Sequence, residues 1–398
     1  MTDSTRVYLD HAATTPMLPA AVAALTTQLA RVGNASSLHA SGRDARRVVE
    51  ESRERIAAAL GCRPGEVVFT SGGTEADNLA IKGIHWARSA ADPRRTRILA
   101  SSVEHHAVLD PLEWLSERGV DVELLPVDAQ CRLDVATLRA AVERDPASVS
   151  LISVMWANNE IGTLQPISEV VALAKEHGIP VHTDAVQAVG AVPVDFAASG
   201  VDALTLTGHK VGGPFGVGAL VLRRELTVTP ILHGGGQERD VRSGTIDVPA
   251  IAGFAVAVEQ SVKEQAANAA RIAALRDDLV ARVVAAVPDV EVSGRGAELL
   301  PGHAHLRFPG CEGDSLLMLL DARGVECSTG SACNAGVPQA SHVLLAMGCT
   351  EAEARSSLRF TLGHTSTPAD VDAVVEAIAA VVERARAASE ARGAVGGW

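Results

Sequence analysis

The middle of the chain alternates short runs of apolar residues with segments whose apolar residues recur every three or four positions. The runs predict buried strands and cover residues 97–101, 149–155, 179–182, 203–206 and 217–222. Between them, residues 167–177 form a helical pattern bounded by Pro166 and Gly178, residue types that commonly mark helix ends. This alternation predicts a mostly parallel sheet with helices on both faces.

The C-terminal part of the chain follows a different pattern. Residues 265–287 predict one long helix, and a second begins at Pro368 and continues to about Arg392 with a single apolar stripe. We therefore place a domain boundary near residue 265. The predicted fold class is α/β, with a large domain of residues 15–265 and a smaller α+β domain that combines residues 266–398 with residues 1–14.

Composition and charge narrow the class of protein. A hydrophobic fraction of 47% with 21% charged residues is typical of a soluble globular protein. A net charge of −13 and an aromatic fraction of 3% argue against direct binding of nucleic acid. No apolar stretch is long enough to span a membrane, and the N-terminus lacks the apolar core of a signal peptide. We expect a cytoplasmic protein that does not bind membranes.

Two charged residues follow predicted strands directly. Lys210 ends the sequence TGHK after one strand, and Asp184 lies in HTDAVQ after another. Ligands of open α/β sheets bind at such carboxyl ends. A lysine with a lowered pKa can form a Schiff base there, and a carboxylate can pair with the pyridinium nitrogen of pyridoxal 5'-phosphate (PLP). Taken singly, Lys210 would be a solvated loop residue and Asp184 a helix N-cap.

The sequence TSGGTEADN predicts an anion site. Gly73 and Thr74 open a helix after an apolar run, so that backbone N–H groups and a hydroxyl face the same point and suit a phosphate. The segment has neither a Walker lysine nor a GxGxxG pattern, which argues against a nucleotide. Alone, this turn is weak evidence for a phosphate site.

Three more polar side chains complete the set that PLP would need. His105, in EHH, can stack on a flat ring and transfer protons, or it caps a helix. Asn159, in ANNEIG, and Gln187 can form hydrogen bonds with a cofactor or substrate, although consecutive asparagines are also typical of a turn. Together with Lys210 and Asp184, these residues predict a PLP site at the carboxyl edge of the sheet.

The segment ECSTGSACNAG is rich in small residues and contains Cys333. It predicts an exposed loop with an accessible thiol, whereas Cys327 is expected to be packed. Arg359, in SSLRFTLG, can bind the carboxylate of an amino acid, or it forms a structural salt bridge. The polar, glycine-rich loop of residues 233–245 is long enough to indicate a functional role.

The remaining cysteines and histidines indicate no metal site. The 6 cysteines suit neither a disulfide framework nor a zinc site. His303 and His305 are spaced like ligands on one face of a strand, but no carboxylate converges with them in the sequence. We interpret them as ordinary strand histidines, and no resident metal is predicted.

Nine motifs occur in the order found in the PLP-dependent cysteine desulfurases, which form part of class V of the fold-type I aminotransferases. The chain closely resembles that family from residue 8 to residue 363, and the resemblance implies a fold-type I large domain. The motifs are YLDHAATTP (8–16), FTSGGTEADNLAIKG (69–83), EHHAVLD (104–110), NNEIG (158–162), HTDAVQAVG (182–190), GHK (208–210), HGGGQERDVRSGT (233–245), STGSAC (328–333) and SLRFTLG (357–363).

The resemblance implies specific roles for these residues. Lys210 would bind PLP covalently, Asp184 would contact its ring nitrogen, and His105 would stack on the ring and transfer protons. Cys333 would form the persulfide and could ligate a transferred iron–sulfur cluster. The residues implied in other cofactor or substrate contacts are Gly73, Thr74, Asn159, Gln187, Thr207, His209, Arg359 and, from the second subunit of a homodimer, Thr245.

The function implied is the conversion of L-cysteine to L-alanine, with the sulfur retained on an enzyme cysteine as a persulfide. The sulfur acceptor is either a scaffold protein for iron–sulfur clusters or a tRNA thiolation enzyme, and the sequence leaves both open. Alternatives are a selenocysteine lyase, an aminotransferase or other class V PLP enzyme, and a binding protein that kept the fold without the activity.

Overall fold

A computed structural model describes residues 6–330 and 340–395. Cys333 therefore lies outside the described residues. The helices are α1 (Pro19–Leu29), α2 (Ala40–Leu60), α3 (Gly73–Ala91), α4 (His106–Ser116), α5 (Val135–Arg144), α6 (Ile167–Glu176), α7 (Phe196–Ser199), α8 (Val248–Ala286), α9 (Gly313–Asp321), α10 (His342–Ala346), α11 (Glu351–Arg355) and α12 (Pro368–Val395). The strands are β1 (Val7–Tyr8), β2 (Val67–Thr70), β3 (Arg97–Ser101), β4 (Asp121–Leu125), β5 (Val149–Ser153), β6 (Val181–Asp184), β7 (Ala203–Thr207), β8 (Gly218–Leu222), β9 (Glu291–Val292), β10 (His303–Arg307), β11 (Val325–Glu326) and β12 (Ser357–Thr361).

A 7-stranded sheet in the order β2-β8-β7-β6-β5-β3-β4 forms the centre of the larger part of the molecule. Strand β8 runs antiparallel to both of its neighbours, and the other strand pairs are parallel. Every residue of β3, β5, β6, β7 and β8 is buried. Burial on both faces explains why all of these strands except β6 are mostly apolar and do not alternate strictly. The predicted α/β fold with a mostly parallel sheet is confirmed.

A second, smaller region contains a 3-stranded antiparallel sheet in the order β12-β10-β9. The N-terminal strand β1 pairs in parallel with β11, so the start of the chain lies beside residues more than three hundred positions away in sequence. Leu9 is buried with residues of this region, among them Leu306, Phe360 and Val374. The central sheet contributes to other clusters, one of which contains Phe69, Ile152 and Leu204.

Helix α8 is longer than the predicted helix of residues 265–287, since it begins at Val248. Its first half packs on the core of the central sheet through Ile251, Phe254 and Val258, and its second half contributes Ile272 and Leu279 to the smaller region. The predicted boundary near residue 265 thus lies within a continuous helix. No helix in the described ranges is both long enough and apolar enough to cross a membrane.

Candidate active site

A cavity of about 420 Å³ lies at the carboxyl edge of the central sheet, where the smaller region meets it. The chain reaches its wall from the ends of several strands and from the start of α3. Most of the predicted site residues line this one cavity: Gly73, Thr74, His105, Asn159, Asp184, Gln187, Thr207, His209, Lys210 and Arg359.

Lys210 lies just after β7, in a short turn formed by Gly208–Lys210. Its Nζ donates to the backbone oxygen of Ala13 at 2.7 Å and also to that of Ala12. Burial, assisted by the charge of Arg359, lowers the pKa of Lys210 to about 8. The amine is therefore unprotonated far more often near neutral pH than that of an ordinary lysine. The unprotonated form is the one that attacks an aldehyde.

Asp184 ends β6 and is only 7% exposed. Its Oδ1 accepts a hydrogen bond from the backbone N–H of Val186 at 2.8 Å, but a turn follows instead of a helix. The interpretation of Asp184 as a helix N-cap is therefore wrong. Burial, with a contribution from Asp77, raises the pKa of Asp184 to about 8, so a cation next to it would stabilise its charged form.

The start of α3 forms a cradle for an anion. Gly72 precedes the helix with a φ of 153°, a conformation that glycine adopts without strain. Gly73 and Thr74 line the cavity together with Thr207 and His209. Because the first N–H groups of a helix have no partner within the helix, this end attracts phosphate.

His105 is the N-cap of α4, and its Nδ1 accepts a hydrogen bond from the N–H of Ala107 at 3.0 Å. The capping interpretation is thus correct, and the residue also lines the cavity. Burial lowers the pKa of His105 to about 4, assisted by the charges of Lys210 and two neighbouring histidines. The ring is neutral at neutral pH, and its proton lies on Nε2 because Nδ1 is an acceptor.

Arg359 lies on β12 and is 5% exposed. One terminal nitrogen donates to Asp10 Oδ1 at 2.8 Å and the other to the backbone oxygen of Asn159 at 2.8 Å. The structural salt bridge considered as an alternative is therefore present. The same guanidinium lines the cavity, and its Nε has no hydrogen-bond partner among the described residues.

Comparisons with known proteins show the family of the chain. A sequence profile of the family described as aminotransferase class-V matches residues 7–374. The chain belongs to the class V aminotransferase family. It is 57% identical to an "IscS-like cysteine desulfurase" of Mycobacterium tuberculosis over 96% of this chain and 98% of that protein. It is 42% identical to a "Cysteine desulfurase IscS" of Dictyoglomus turgidum over 96% of each chain.

A solved structure of a NifS-like protein from Rickettsia africae superimposes on the chain with a TM-score of 0.86 and 32% identity. The match covers 95% of this chain and 99% of that one. The resemblance to the cysteine desulfurases of class V and the prediction of an enzyme are thereby confirmed.

Two residues predicted for this class V site are not among those that line the cavity. Thr245 is exposed on the loop between β8 and α8, and Cys333 falls outside the described residues. Gly330 and Ala340 are the described residues on either side of the segment that contains Cys333, and both line the cavity. His303 and His305 are buried on β10.

The structure adds residues that the sequence analysis missed. Asp77 lines the cavity and is 1% exposed, while His182 and Glu104 are fully buried close by. His182 and Asp184 lie two positions apart on β6 and therefore face the same side of the sheet. That spacing was visible in the sequence; the burial of Asp77 on α3 was not, because it depends on how the helix packs on the sheet.

Proposed function

We propose that this class V enzyme is a PLP-dependent cysteine desulfurase that converts L-cysteine to L-alanine and retains the sulfur on Cys333. The observation that carries the proposal is the position of Lys210, a buried lysine with a lowered pKa in the same cavity as Asp184 and the N-terminus of α3. A cavity of this kind fits a small aromatic aldehyde with an anionic group.

The residues of the cavity fit PLP. Gly73, Thr74, Thr207 and His209 would hold its phosphate, and Lys210 would bind its aldehyde. His209 Nδ1 has no hydrogen-bond partner among the described residues, as expected for a group that awaits a ligand. PLP supplies the electron sink for chemistry at the substrate Cα and Cβ.

Side chains of the cavity would transfer the protons of the reaction. The Lys210 amine would take the proton from the substrate Cα, since its lowered pKa leaves it unprotonated for part of the time. The neutral His105, with its proton on Nε2, can exchange protons with the substrate thiol. Arg359, through the free Nε, and Asn159 would orient the substrate carboxylate.

In the sulfur-transfer step, the Cys333 thiolate attacks the substrate sulfur. The new S–S bond forms as the Cβ–S bond breaks, and the electron pair of that bond remains with the substrate fragment, which is released as alanine after protonation. The persulfide then passes its outer sulfur to an acceptor protein, for iron–sulfur cluster assembly or tRNA thiolation in the cytoplasm.

Product analysis tests this function. The purified protein with PLP, L-cysteine and a thiol reductant should form alanine and sulfide in equal amounts. Pyruvate and ammonia in place of alanine would indicate elimination instead and would contradict the proposal. Omission of the reductant should leave the sulfur on the protein after one turnover.

The lowered pKa of Lys210 predicts the pH dependence of cofactor capture. The rate at which the cofactor-free protein takes up PLP should rise through about pH 8 and level off above it, because only the unprotonated amine reacts. A small-molecule lysine amide in the same buffers should show a rate that still rises toward its ordinary pKa of about 10.4. The rates can be followed by absorbance. A protein profile that matches the small molecule would refute the lowered pKa.

We further propose that the enzyme is a homodimer with two shared sites. Large apolar side chains are exposed at Leu29 (64%), Val32 (86%) and Leu38 (84%) around the connection between α1 and α2, and exposed apolar clusters favour association. Phe215 is 68% exposed and stacks on His209 at a centroid distance of 5.7 Å. A second subunit that covers Phe215 would lie next to the cofactor cavity, where its Thr245 could reach the phosphate.

Subunit mixing tests the shared site. Lys210→Ala mixed with Thr245→Glu should regain activity, because both lesions fall in one composite site and leave the other intact. Lys210→Ala mixed with Asp184→Asn is the matched control: those lesions fall in different sites, so no activity should return. Equal behaviour of the two mixtures, with subunit exchange verified by mass spectrometry, would show that each site is built from one chain.

A further inference from the structure

Three carboxyl groups are buried at one side of the cofactor cavity. Asp77 is 1% exposed, Glu104 0% and Asp184 7%, and both aspartates line the cavity. Within residues 6–330 and 340–395, no lysine or arginine forms an ion pair with any of them, and the contact of Asp77 with His182 is the one pairing found. Buried carboxylates without a cation are costly, so this side of the cavity favours a positively charged ligand group.

Asp77 approaches the sheet from α3. Its Oδ1 lies 3.5 Å from Nε2 of His182 and makes no hydrogen bond among the described residues. The hydroxyl of Thr205 lies against the same carboxyl group and lowers its pKa, while burial has the larger effect and raises that pKa to about 7. Thr205 pairs with Asp184 in the sheet register, so Asp77 lies close enough to Asp184 for its charge to act there.

His182 does not neutralise Asp77. Its Nδ1 lies 2.9 Å from Ser153 Oγ and its Nε2 lies 3.1 Å from Thr205 Oγ1. Burial lowers the pKa of His182 to about 4, so the ring is neutral at neutral pH. The other titratable groups nearby are Glu104 and Lys210. Burial raises the pKa of Glu104 well above its ordinary value, and the charge of Lys210 lowers the pKa of Asp184.

An acidic residue near the start of a helix often serves only to complement the helix dipole. Asp77 does not fit that role, because it lies beyond the first turn of α3, whose acidic residue is Glu75. Asp77 is also buried, with an oxygen that has no hydrogen-bond partner among the described residues. Asp77 also raises the pKa of both Asp184 and Glu104, which works against the charged form of Asp184 in the absence of a cation. A cation at the cavity wall would favour the charged forms of both aspartates.

We propose that Asp77 is a positioning residue of the ring-nitrogen site: its carboxylate, held against Thr205 and His182, adds a second negative charge behind Asp184 and so keeps the ring nitrogen of bound PLP protonated. This inference rests on the proposed function, because it assumes that PLP is the ligand and that Asp184 contacts its ring nitrogen.

The protonation of the ring nitrogen can be measured directly. The protein is loaded with PLP carrying ¹⁵N in the ring, and the ¹⁵N chemical shift is followed as a function of pH. In Asp77→Asn the protonation midpoint should fall by about one pH unit, a tenfold lower proton affinity. Thr205→Val should shift it in the same direction by less, since it removes the hydroxyl that stabilises the charged Asp77.

The controls separate this role from a structural one. Asp92→Asn makes the same charge change directly after α3, far from the cavity, and should leave the midpoint unchanged. A merely structural role of Asp77 would lower the melting temperature or PLP retention without moving the midpoint. Unchanged midpoints in both Asp77→Asn and Thr205→Val would overturn this inference alone, whereas a wild-type protein that holds no PLP would overturn the proposed function with it.

Discussion

Lys210→Ala should lose alanine formation by on the order of 10³-fold or more, because in the proposed function a single amine both captures the cofactor and moves the substrate proton. The variant should still bind PLP without a covalent bond, since the anion cradle at the start of α3 and Asp184 do not depend on Lys210. Alanine is measured by chromatography, and the covalent bond by borohydride reduction followed by mass spectrometry.

A matched control is available on the same chain. Lys263 lies on α8 and is exposed, so Lys263→Ala removes the same side chain away from the cavity and should retain full activity and borohydride labelling. Added methylamine should partly restore proton transfer in Lys210→Ala if the lost amine is the cause. Alanine formation at the wild-type rate by Lys210→Ala would refute the assignment.

Strands β3, β5, β7 and β8 could be predicted from the sequence because they are buried on both faces and therefore appear as mostly apolar runs. Only the second half of helix α8 was predicted, because its first half lacks a one-sided apolar pattern. Its first turns contain buried residues all around the helix, from Ala250 through Val258, so they show no apolar stripe that would distinguish them from a buried strand. The two-residue strands β1, β9 and β11 are too short to leave any pattern.

The candidate site could be predicted where reactive or charged side chains lie near the ends of predicted strands. Lys210, Asp184 and His105 lie at strand ends or within a few residues of them, and the parallel sheet brings such positions to one edge. Asp77 was not predictable, because an aspartate within a helix has the same sequence signal whether it faces water or a cavity. The position of α3 over β6 and β7 decides this, and that packing is set by contacts distant in sequence.

The thiol pKa values of the other cysteines support the proposed role of Cys333 as the sulfur carrier. In the described part of the chain, burial raises the thiol pKa of each of them, to about 12 for Cys62 and Cys327. Cys131, Cys311 and Cys349 are shifted in the same direction. Because the thiolate is the nucleophile, these residues are poor acceptors of sulfur. The expectation that Cys327 is packed is confirmed, since it is 8% exposed within the core of the smaller region.

Cys333→Ser should therefore bind PLP and L-cysteine like the wild type, with the same change in visible absorbance, yet form no protein persulfide and release almost no sulfide. Binding of PLP and L-cysteine should remain intact because Lys210 and the other cavity residues do not need the thiol, whereas sulfur transfer should be lost. Cys349→Ser, a half-buried cysteine, is the matched control and should behave as the wild type. Mass spectrometry of the wild type after one turnover should place the added sulfur on Cys333; its recovery on Cys327 or Cys349 would show that burial does not decide which thiol reacts.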